Sequence, residues 1–272
     1  MDLTITTALF DLNRTTWVNY QRSIDDYKNY SKNMLSLDCN MVIYTTEDLK
    51  EHFLENRKLI DPNFNKTKII TLKLEEVPYY EYLDKITKLM DSDFFIKNIK
   101  NNHHDKLRPE ANYPIYNIIQ FAKSKFIENS VNNNYFNTEL HCWMDSGIYH
   151  HMFPNEFKYK KYPSKNIEVL YDNKIHQFYR IHPMDSDLDK LTYYCAPDDV
   201  RIVGAWFGGT RSSMLKYGEL IKKVVDDSIS ENVISDDQNI YTICYLENKN
   251  LFNLHNGNFA KNAYFAGLDF FL

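Results

Sequence analysis

The pentapeptide Trp143-Met144-Asp145-Ser146-Gly147 is the sharpest candidate for chemistry in the sequence. The carboxylate of Asp145 directly follows an apolar segment, 140–144, that predicts a buried strand. Open α/β sheets bind ligands at the carboxyl ends of their strands, and a hard oxygen ligand there could hold Mn²⁺ or Mg²⁺ against a diphosphate. In the alternative interpretation, Asp145 caps the next turn and Gly147 supplies a positive φ.

The segment 204–210, GAWFGGT, combines three glycines with two aromatic residues. Glycines let the backbone approach a ligand closely, while aromatic rings cover an apolar or sugar face. The segment is therefore a candidate ligand-contacting loop, and the alternative is a tight turn over the core.

Two adjacent acids, Asp236 and Asp237, open a predicted helix at 236–246. Ser235 is a suitable N-cap, and the acids suit the positive end of the helix dipole. The same carboxylates, together with the amide of Gln238, could hold sugar hydroxyls or act as a base. Both interpretations stay open.

An imidazole and an ammonium, those of His255 and Lys261, flank Gly257 near the C-terminus. Histidine can complete a Mn²⁺ shell and lysine can neutralise a leaving diphosphate. The alternative is a solvated loop in which neither residue has a ligand.

The elements that must position these residues alternate between strand and helix in the first half of the chain. β-rich segments at 4–10, 41–44 and 68–74 are separated by segments with helical spacing at 17–37 and 48–57. This alternation predicts right-handed βαβ crossovers and a parallel sheet. Further helices are predicted at 78–90, 91–100, 115–131, 211–227 and 236–246, and strand-like segments at 140–144, 167–171 and 175–181. We expect one α/β domain over 1–272, with a mostly parallel central sheet flanked by helices.

Composition and charge exclude several classes of protein. The first of the seven glycines is Gly147, so the N-terminal half lacks the glycines of a P-loop or a G-x-G-x-x-G turn. A formal charge of −5 over 272 residues argues against a duplex-binding protein. No apolar run approaches the roughly 20 residues of a membrane span. Four cysteines without a C-x-x-C pair, and an N-terminus without a basic segment, predict a cytoplasmic protein with free thiols.

Five short segments follow one another in the order seen in the HtrL/YibB family: TALFDLNR, FAKSKFIENS, WMDSGI, GAWFGG and DDQNIY. From Thr4 to about Phe259 the chain resembles that family, which itself looks like nucleotide-sugar transferases of the GT-A type. The resemblance implies a GT-A-like, Rossmann-related fold, with a nucleotide-binding part at about 1–148 and an acceptor and sugar part at about 149–272. The rich usage of Asn, Lys, Ile and Tyr is similar to that of giant-virus proteins, which would place the chain in the host cytoplasm or the virion.

The resemblance also implies roles for individual positions. Thr7, Ala8, Leu9 and Phe10 would end the first strand against the uridine. Arg14 and Lys125 would lie close to the nucleotide. The other implied donor and acceptor residues are Gly208, Gly209, Asp236, Asp237, Gln238, His255 and Lys261.

Asp145 would stand where GT-A enzymes keep the D-x-D motif, which binds the ribose and the metal. The sequence has Asp145-Ser146-Gly147 instead, so one metal carboxylate is missing. Either Asp145 works with His255 or with an acid from 236–237, or metal dependence is weak. His255, Gly257 and Lys261 are similar to the H-x-x-G-x-x-K element of some GT-A sites, but the spacing differs by one residue on each side of the glycine.

We therefore expect a glycosyltransferase of the hexosyltransferase type. It would move a sugar from a nucleotide diphosphate sugar, with a UDP-sugar as the expected donor, to a hydroxyl acceptor. Asp145 and His255 are expected to hold Mn²⁺ or Mg²⁺, and Asp237, with Asp236 as substitute, to deprotonate or orient the acceptor. The acceptor would be a glycan, a protein or a small molecule. Nucleic acid is not an expected partner, and the aromatic content is compatible with a homodimer.

Two other functions fit parts of the sequence. A catalytically degenerate GT-A fold that binds carbohydrate or has a structural role would account for the missing second Asp. A metal hydrolase or oxygenase could use His141, Asp145 and His150. Adjacent histidines on a strand point to opposite faces and there is no H-E-x-x-H motif, so this last function is disfavoured.

Overall fold

One β-sheet organises the part of the chain that the structure describes. The structure is a computed structural model, and it describes residues 3–101, 106–148, 158–183, 201–234, 236–260 and 265–272. The strands are β1 (Leu3–Leu9), β2 (Asn40–Thr45), β3 (Thr67–Thr71), β4 (Leu140–Met144), β5 (Ile175–Tyr179), β6 (Ile202–Thr210) and β7 (Phe252–Asn256). Their spatial order is β3-β2-β1-β4-β6-β5-β7.

Strand β6 runs antiparallel to both of its neighbours, whereas the other neighbouring strands pair in parallel. Ile5 of β1 pairs with Met41 of β2 and with Cys142 of β4, and Trp143 of β4 pairs with Phe207 of β6. The carboxyl ends of β1 and β4 therefore meet at one edge of the sheet, together with the amino-terminal end of β6. This sheet confirms the predicted α/β fold with a mostly parallel sheet.

Helices cover both faces of the sheet. They are α1 (Ile24–Leu35), α2 (Lys50–Lys58), α3 (Leu83–Met90), α4 (Asp93–Phe95), α5 (Pro109–Asn112), α6 (Pro114–Asn133), α7 (Arg211–Ser230), α8 (Asp237–Glu247) and α9 (Ala266–Phe271). Apolar residues of α3, α6, α7 and α8 join the core on one face, and those of α1, α2 and α9 join the core on the other. None of the described helices is both long and apolar enough to cross a membrane.

The structure corrects three local predictions. The helix expected at 17–37 begins only at Ile24, because the side chains of Ser23 and Asp26 each accept a hydrogen bond from the other's backbone N–H. The strand-like segment expected at 167–171 is a 3₁₀-helix. The glycine-rich segment 204–210 is neither a loop nor a tight turn, since it forms most of the fully buried strand β6.

Candidate functional site

Asp145 lies at the edge of the sheet where the carboxyl ends of β1 and β4 meet. Its backbone N–H donates to the carbonyl of Ala205 over 3.0 Å, which ties the end of β4 to the start of β6. The indole N–H of Trp143 donates to Asp145 Oδ1 over 2.6 Å and fixes the carboxylate. The side chain of Asp145 is 32% exposed, so a ligand at this edge can reach it.

The ammonium of Lys123, on α6, lies between Asp145 and the first residue of α8, Asp237. Lys123 Nζ is 3.0 Å from Asp145 Oδ1 and 2.7 Å from Asp237 Oδ2. It also donates to the carbonyl of Gly204 over 3.3 Å. Because a lysine ammonium has three N–H donors, each of them has an acceptor in this cluster.

Burial and ion pairing together set the protonation states of Lys123 and Asp237. On its own, burial would lower the pKa of Lys123, but the carboxylates of Asp145 and Asp237 raise that pKa above its ordinary value. Burial raises the pKa of Asp237 to about 6, although Lys123 acts in the opposite direction. Near pH 7 Lys123 and Asp237 therefore form a buried ion pair.

Gly204 makes room for the carboxylate of Asp237. A Cβ added to Gly204 would lie 2.6 Å from Asp237 Oδ2 and 3.0 Å from its Cγ. A larger residue at the start of β6 would therefore push the first turn of α8 away from the sheet. The glycine is required by close packing, since no glycine among the described residues has a positive φ.

The same backbone finding removes one interpretation of Asp145-Ser146-Gly147. Gly147 does not supply a positive φ. Its neighbour Ser146 instead donates its hydroxyl to the carbonyl of Ala8 over 2.9 Å, which joins the segment after β4 to the end of β1. Ala8, one of the residues predicted to end β1 at the nucleotide, is thus in direct contact with this segment. Leu9 and Phe10 are buried in the core, and Phe10 stacks on Phe126 at a centroid distance of 5.8 Å.

Asp236 is a helix cap and an ion-pair partner. Its Oδ1 accepts from the N–H of Asn239 over 2.8 Å at the start of α8, so Asp236 is the N-cap of this helix, a role that the sequence analysis assigned to Ser235. Its Oδ2 accepts from Arg108 over 2.9 Å. Burial raises the pKa of Asp236, and the charge of Arg108 lowers it. Gln238 follows in the same turn, and its side-chain Oε1 is buried without a hydrogen-bond partner among the described residues.

Arg14 is a buried cation close to this edge. It is 6% exposed; it donates to the carbonyl of Tyr20 over 2.9 Å and to the hydroxyl of Tyr27. Its guanidinium carbon lies 4.5 Å from the centroid of the Trp17 ring. Within the described ranges no carboxylate pairs with Arg14, and its Nε has no hydrogen-bond partner.

Two aromatic residues connect Arg14 to the carboxylate cluster. The ring of Tyr27 passes 3.5 Å from the position that a Cβ on Gly147 would take. The ring of Tyr116 lies 5.4 Å from the guanidinium carbon of Arg14. Burial raises the pKa of the Tyr116 hydroxyl, Arg14 lowers it and Asp237 raises it further. The charges of Arg14 and Asp237 therefore both act on the Tyr116 hydroxyl.

Three predicted donor residues lie apart from this cluster. Lys125 pairs with Glu128; it is two residues from Lys123 along α6, and this spacing turns it to another side of the helix. Gly208 and Gly209 lie at the far end of β6, paired with Cys142 and His141. A Cβ on Gly208 would lie 2.8 Å from the Cβ of Cys142, so this glycine serves strand packing.

The predicted metal pair, Asp145 and His255, is not brought together. His255 lies on β7, three strand spacings from β4, or about 14 Å at 4.8 Å each. Its Nε2 is 2.9 Å from Nδ1 of His176, whose Nε2 is 2.8 Å from Asp172. Burial, helped by the charge of His176, lowers the pKa of His255 to about 4. The described residues contain no group of three His, Cys, Asp or Glu side chains arranged to hold a metal ion.

The other histidine and lysine candidates do not enlarge the site. His141 is fully buried within β4, and burial lowers its pKa to about 4. Lys261 and His150 lie outside the described residues. The cluster at the sheet edge therefore consists of Lys123, Asp145, Gly204 and Asp237, with Arg14 nearby and with Asp236 and Gln238 on the adjoining turn.

Sequence comparison places the chain in a family. A family model described as "Bacterial protein of unknown function (HtrL_YibB)" matches residues 1–266. The chain is also 24% identical over 261 residues to Protein HtrL of Escherichia coli (strain K12), covering 93% of this chain and 87% of that protein. The chain belongs to the HtrL/YibB family, as the five ordered segments predicted.

Proposed function

We propose that this member of the HtrL/YibB family is a glycosyltransferase that moves a sugar from a nucleotide diphosphate sugar, a UDP-sugar in the first instance, to a hydroxyl acceptor. The observation that carries the proposal is the charged cluster at the carboxyl ends of β1 and β4, where Lys123 joins Asp145 to Asp237. Ligands of open α/β sheets bind at such an edge. We keep the predictions of a homodimer, a giant-virus source and a cytoplasmic location as part of this proposal.

The surroundings of Arg14 favour the binding of an anionic ligand at this site. A buried guanidinium normally has a carboxylate or phosphate partner, because an unpaired buried charge is costly. Arg14 has no carboxylate partner among the described residues, while its Nε has no acceptor. The planar donors of arginine suit the oxygens of a phosphate, so the diphosphate of the donor is the partner that this group fits.

The two carboxylates take different roles because their exposure differs. The Asp145 side chain is 32% exposed and the Asp237 side chain 4%. Asp145 is the group that a ribose hydroxyl can reach. Asp237, with a pKa raised by burial to about 6, is suited to accept a proton near neutral pH.

The proposed reaction has one bond made and one broken at the anomeric carbon. The bond between that carbon and the diphosphate oxygen breaks, and its electron pair leaves on the nucleoside diphosphate beside Arg14. The acceptor oxygen forms the new bond to the carbon. Its proton passes to the carboxylate of Asp237.

A thermal-shift screen with UDP, GDP, CMP and ADP, each with and without Mn²⁺, tests the proposal. A ligand at a hundred times its dissociation constant adds about 2.7 kcal/mol to the free energy of unfolding, which is visible as several degrees. We expect UDP to stabilise the protein, and Arg14→Met to remove the shift. If none of the four nucleotides stabilises the protein, the proposal is wrong.

The mutual pairing of Lys123, Asp145 and Asp237 also suits a second candidate function, a catalytically degenerate fold that only binds carbohydrate. In that case free sugars would stabilise the protein and nucleotides would not. The same thermal-shift assay, extended to free hexoses, separates the two functions.

A further inference from the structure

We propose that the ammonium of Lys123 takes the place of a divalent cation at this site, so that the donor binds without Mn²⁺ or Mg²⁺. The inference rests on the proposed function and concerns how the negative charge of the site and of the donor is compensated.

The Lys123 ammonium lies within hydrogen-bonding distance of three oxygens. Lys123 Nζ has oxygens of Asp145, Asp237 and Gly204 at 3.0, 2.7 and 3.3 Å. Mg²⁺ holds its oxygen ligands at about 2.0–2.1 Å, whereas N–H···O hydrogen bonds span about 2.7–3.2 Å. The oxygens are therefore spaced for an ammonium, which occupies the position between the two carboxylates that a bridging metal would need.

Among the described residues, Asp145 has no set of further side chains placed to complete a metal site. His255, the expected second ligand, is held by His176 on a distant strand. Asp236 is already bound to Arg108 and to the backbone of Asn239. The described side chains at this edge therefore do not fit Mn²⁺ or Mg²⁺.

Lys123 also compensates negative charge at this site. Without Lys123, two carboxylates would face an incoming diphosphate, and their repulsion would have to be removed by an added cation. With Lys123 in place, the three side chains of Lys123, Asp145 and Asp237 together carry one net negative charge. Arg14 adds a second buried cation nearby. The site thus compensates its own carboxylates before the donor arrives.

Lys123 is buried and held in place by its neighbours. Its side chain is 6% exposed, and its ammonium lies 5.9 Å from the centroid of the Trp143 ring. Gly204, whose carbonyl accepts from the ammonium, is also the residue whose missing Cβ lets Asp237 reach it. A metal ion would have to displace a buried lysine that has all three donors satisfied.

The test measures the thermal stabilisation of the full chain by UDP in EDTA and in Mn²⁺, for the wild type, Lys123→Met and Lys125→Met. We expect the wild type to show the same UDP shift in both conditions. Lys123→Met should lose the shift in EDTA and should be stabilised by Mn²⁺ alone more than the wild type is, because its two carboxylates are left without a cation. Lys125→Met is the matched control, since Lys125 sits on the same helix and pairs with Glu128, and it should behave as the wild type.

The outcomes separate the inference from the proposed function. A UDP shift that appears in the wild type only with Mn²⁺ overturns the inference and leaves the proposed function standing. No UDP shift in either condition overturns the inference, and no shift with UDP, GDP, CMP or ADP overturns the proposed function as well. If Lys123→Met does not fold, Asp237→Asn is compared with Lys123→Met/Asp237→Asn. Both variants lack the buried carboxylate, so a UDP shift in EDTA that survives only in the single variant supports the inference, and one that survives in both overturns it.

Discussion

The Lys123 ammonium lies 2.7 Å from a carboxylate oxygen of Asp237, although 114 residues separate the two in the chain. Lys123 comes from the middle of α6 and Asp237 from the first turn of α8, so their contact joins two helices over one end of β4 and β6. The pair orders the edge of the sheet at which the sequence places Asp145.

Replacement of Lys123 by methionine should lower stability by about 3–5 kcal/mol, because it leaves a buried carboxylate without its partner. Denaturant unfolding of purified variants measures this. Lys125→Met removes a partly exposed pair with Glu128 and should cost about 1 kcal/mol or less. Equal losses of unfolding free energy in the two variants would show that the buried Lys123 pair stabilises the fold no more than the partly exposed Lys125 pair does.

Gly204→Ala should lower stability by about 1–3 kcal/mol through overpacking, because the new methyl would lie 2.6 Å from Asp237 Oδ2. Gly147→Ala is the control, since its methyl would make an ordinary contact at 3.5 Å with the ring of Tyr27. It should change stability by no more than about 0.5 kcal/mol. A Gly204→Ala protein as stable as the Gly147→Ala protein would argue against close packing of Asp237 on β6.

Asp237→Asn should cut turnover with little loss of UDP affinity, because the proposed role of Asp237 is to accept a proton. With a pKa of about 6, the carboxylate is active in its ionised form, so turnover should fall as the pH drops below about 6. The residual activity of Asp237→Asn should lack that acid limb. A large loss of UDP affinity would instead make Asp237 a donor-binding residue.

Asp145→Asn should abolish sugar transfer while the protein stays folded. The side chain is partly exposed and keeps an oxygen for the indole N–H of Trp143, so the loss of charge is the main change. Circular dichroism checks the fold and a transfer assay checks the activity. Normal turnover in this variant would remove Asp145 from the mechanism.

Acid should destabilise the protein through its buried histidines. His255 titrates near 4 in the fold and near 6.5 when unfolded. The unfolded state therefore binds more protons between these values, and the stability present above pH 6.5 is lost as the pH falls toward about 4. His255→Asn should reduce the dependence of the melting temperature on pH over this range. The reduction should be partial, because burial also lowers the pKa of His141 to about 4. An unchanged slope would contradict a buried neutral His255.

The sheet could be predicted because its central strands are short runs of apolar and β-branched residues. The expected strands at 4–10, 41–44 and 140–144 match Leu3–Leu9, Asn40–Thr45 and Leu140–Met144 to within a residue at each end. Strand β6 could not be recognised in this way, because its glycines are typical of loops. Glycines are needed in this strand because Cys142 and Asp237, from other elements, approach its backbone closely. A local sequence pattern does not contain this information.

The site was predicted in part. Asp145 and Asp237 follow from their positions at the end of a strand and the start of a helix. Lys123 was missed in favour of Lys125, yet helical spacing carries a signal: Lys123 is four residues after Ile119 and three before Phe126, which places it on the inward face of α6. Arg14 was predicted as a site residue. Its burial among aromatic rings was not, because it depends on Tyr116 of α6, which is about a hundred residues away along the chain.

Release of UDP from a panel of UDP-sugars by the wild type and by Asp145→Asn tests the central proposal most directly, since slow transfer to water needs no known acceptor. We predict that the wild type releases UDP from at least one sugar donor, in EDTA as in Mn²⁺, and that Asp145→Asn does not. Release at the same rate by both proteins, or no release by the wild type from any UDP-sugar, would contradict a UDP-sugar transferase site at the carboxyl ends of β1 and β4.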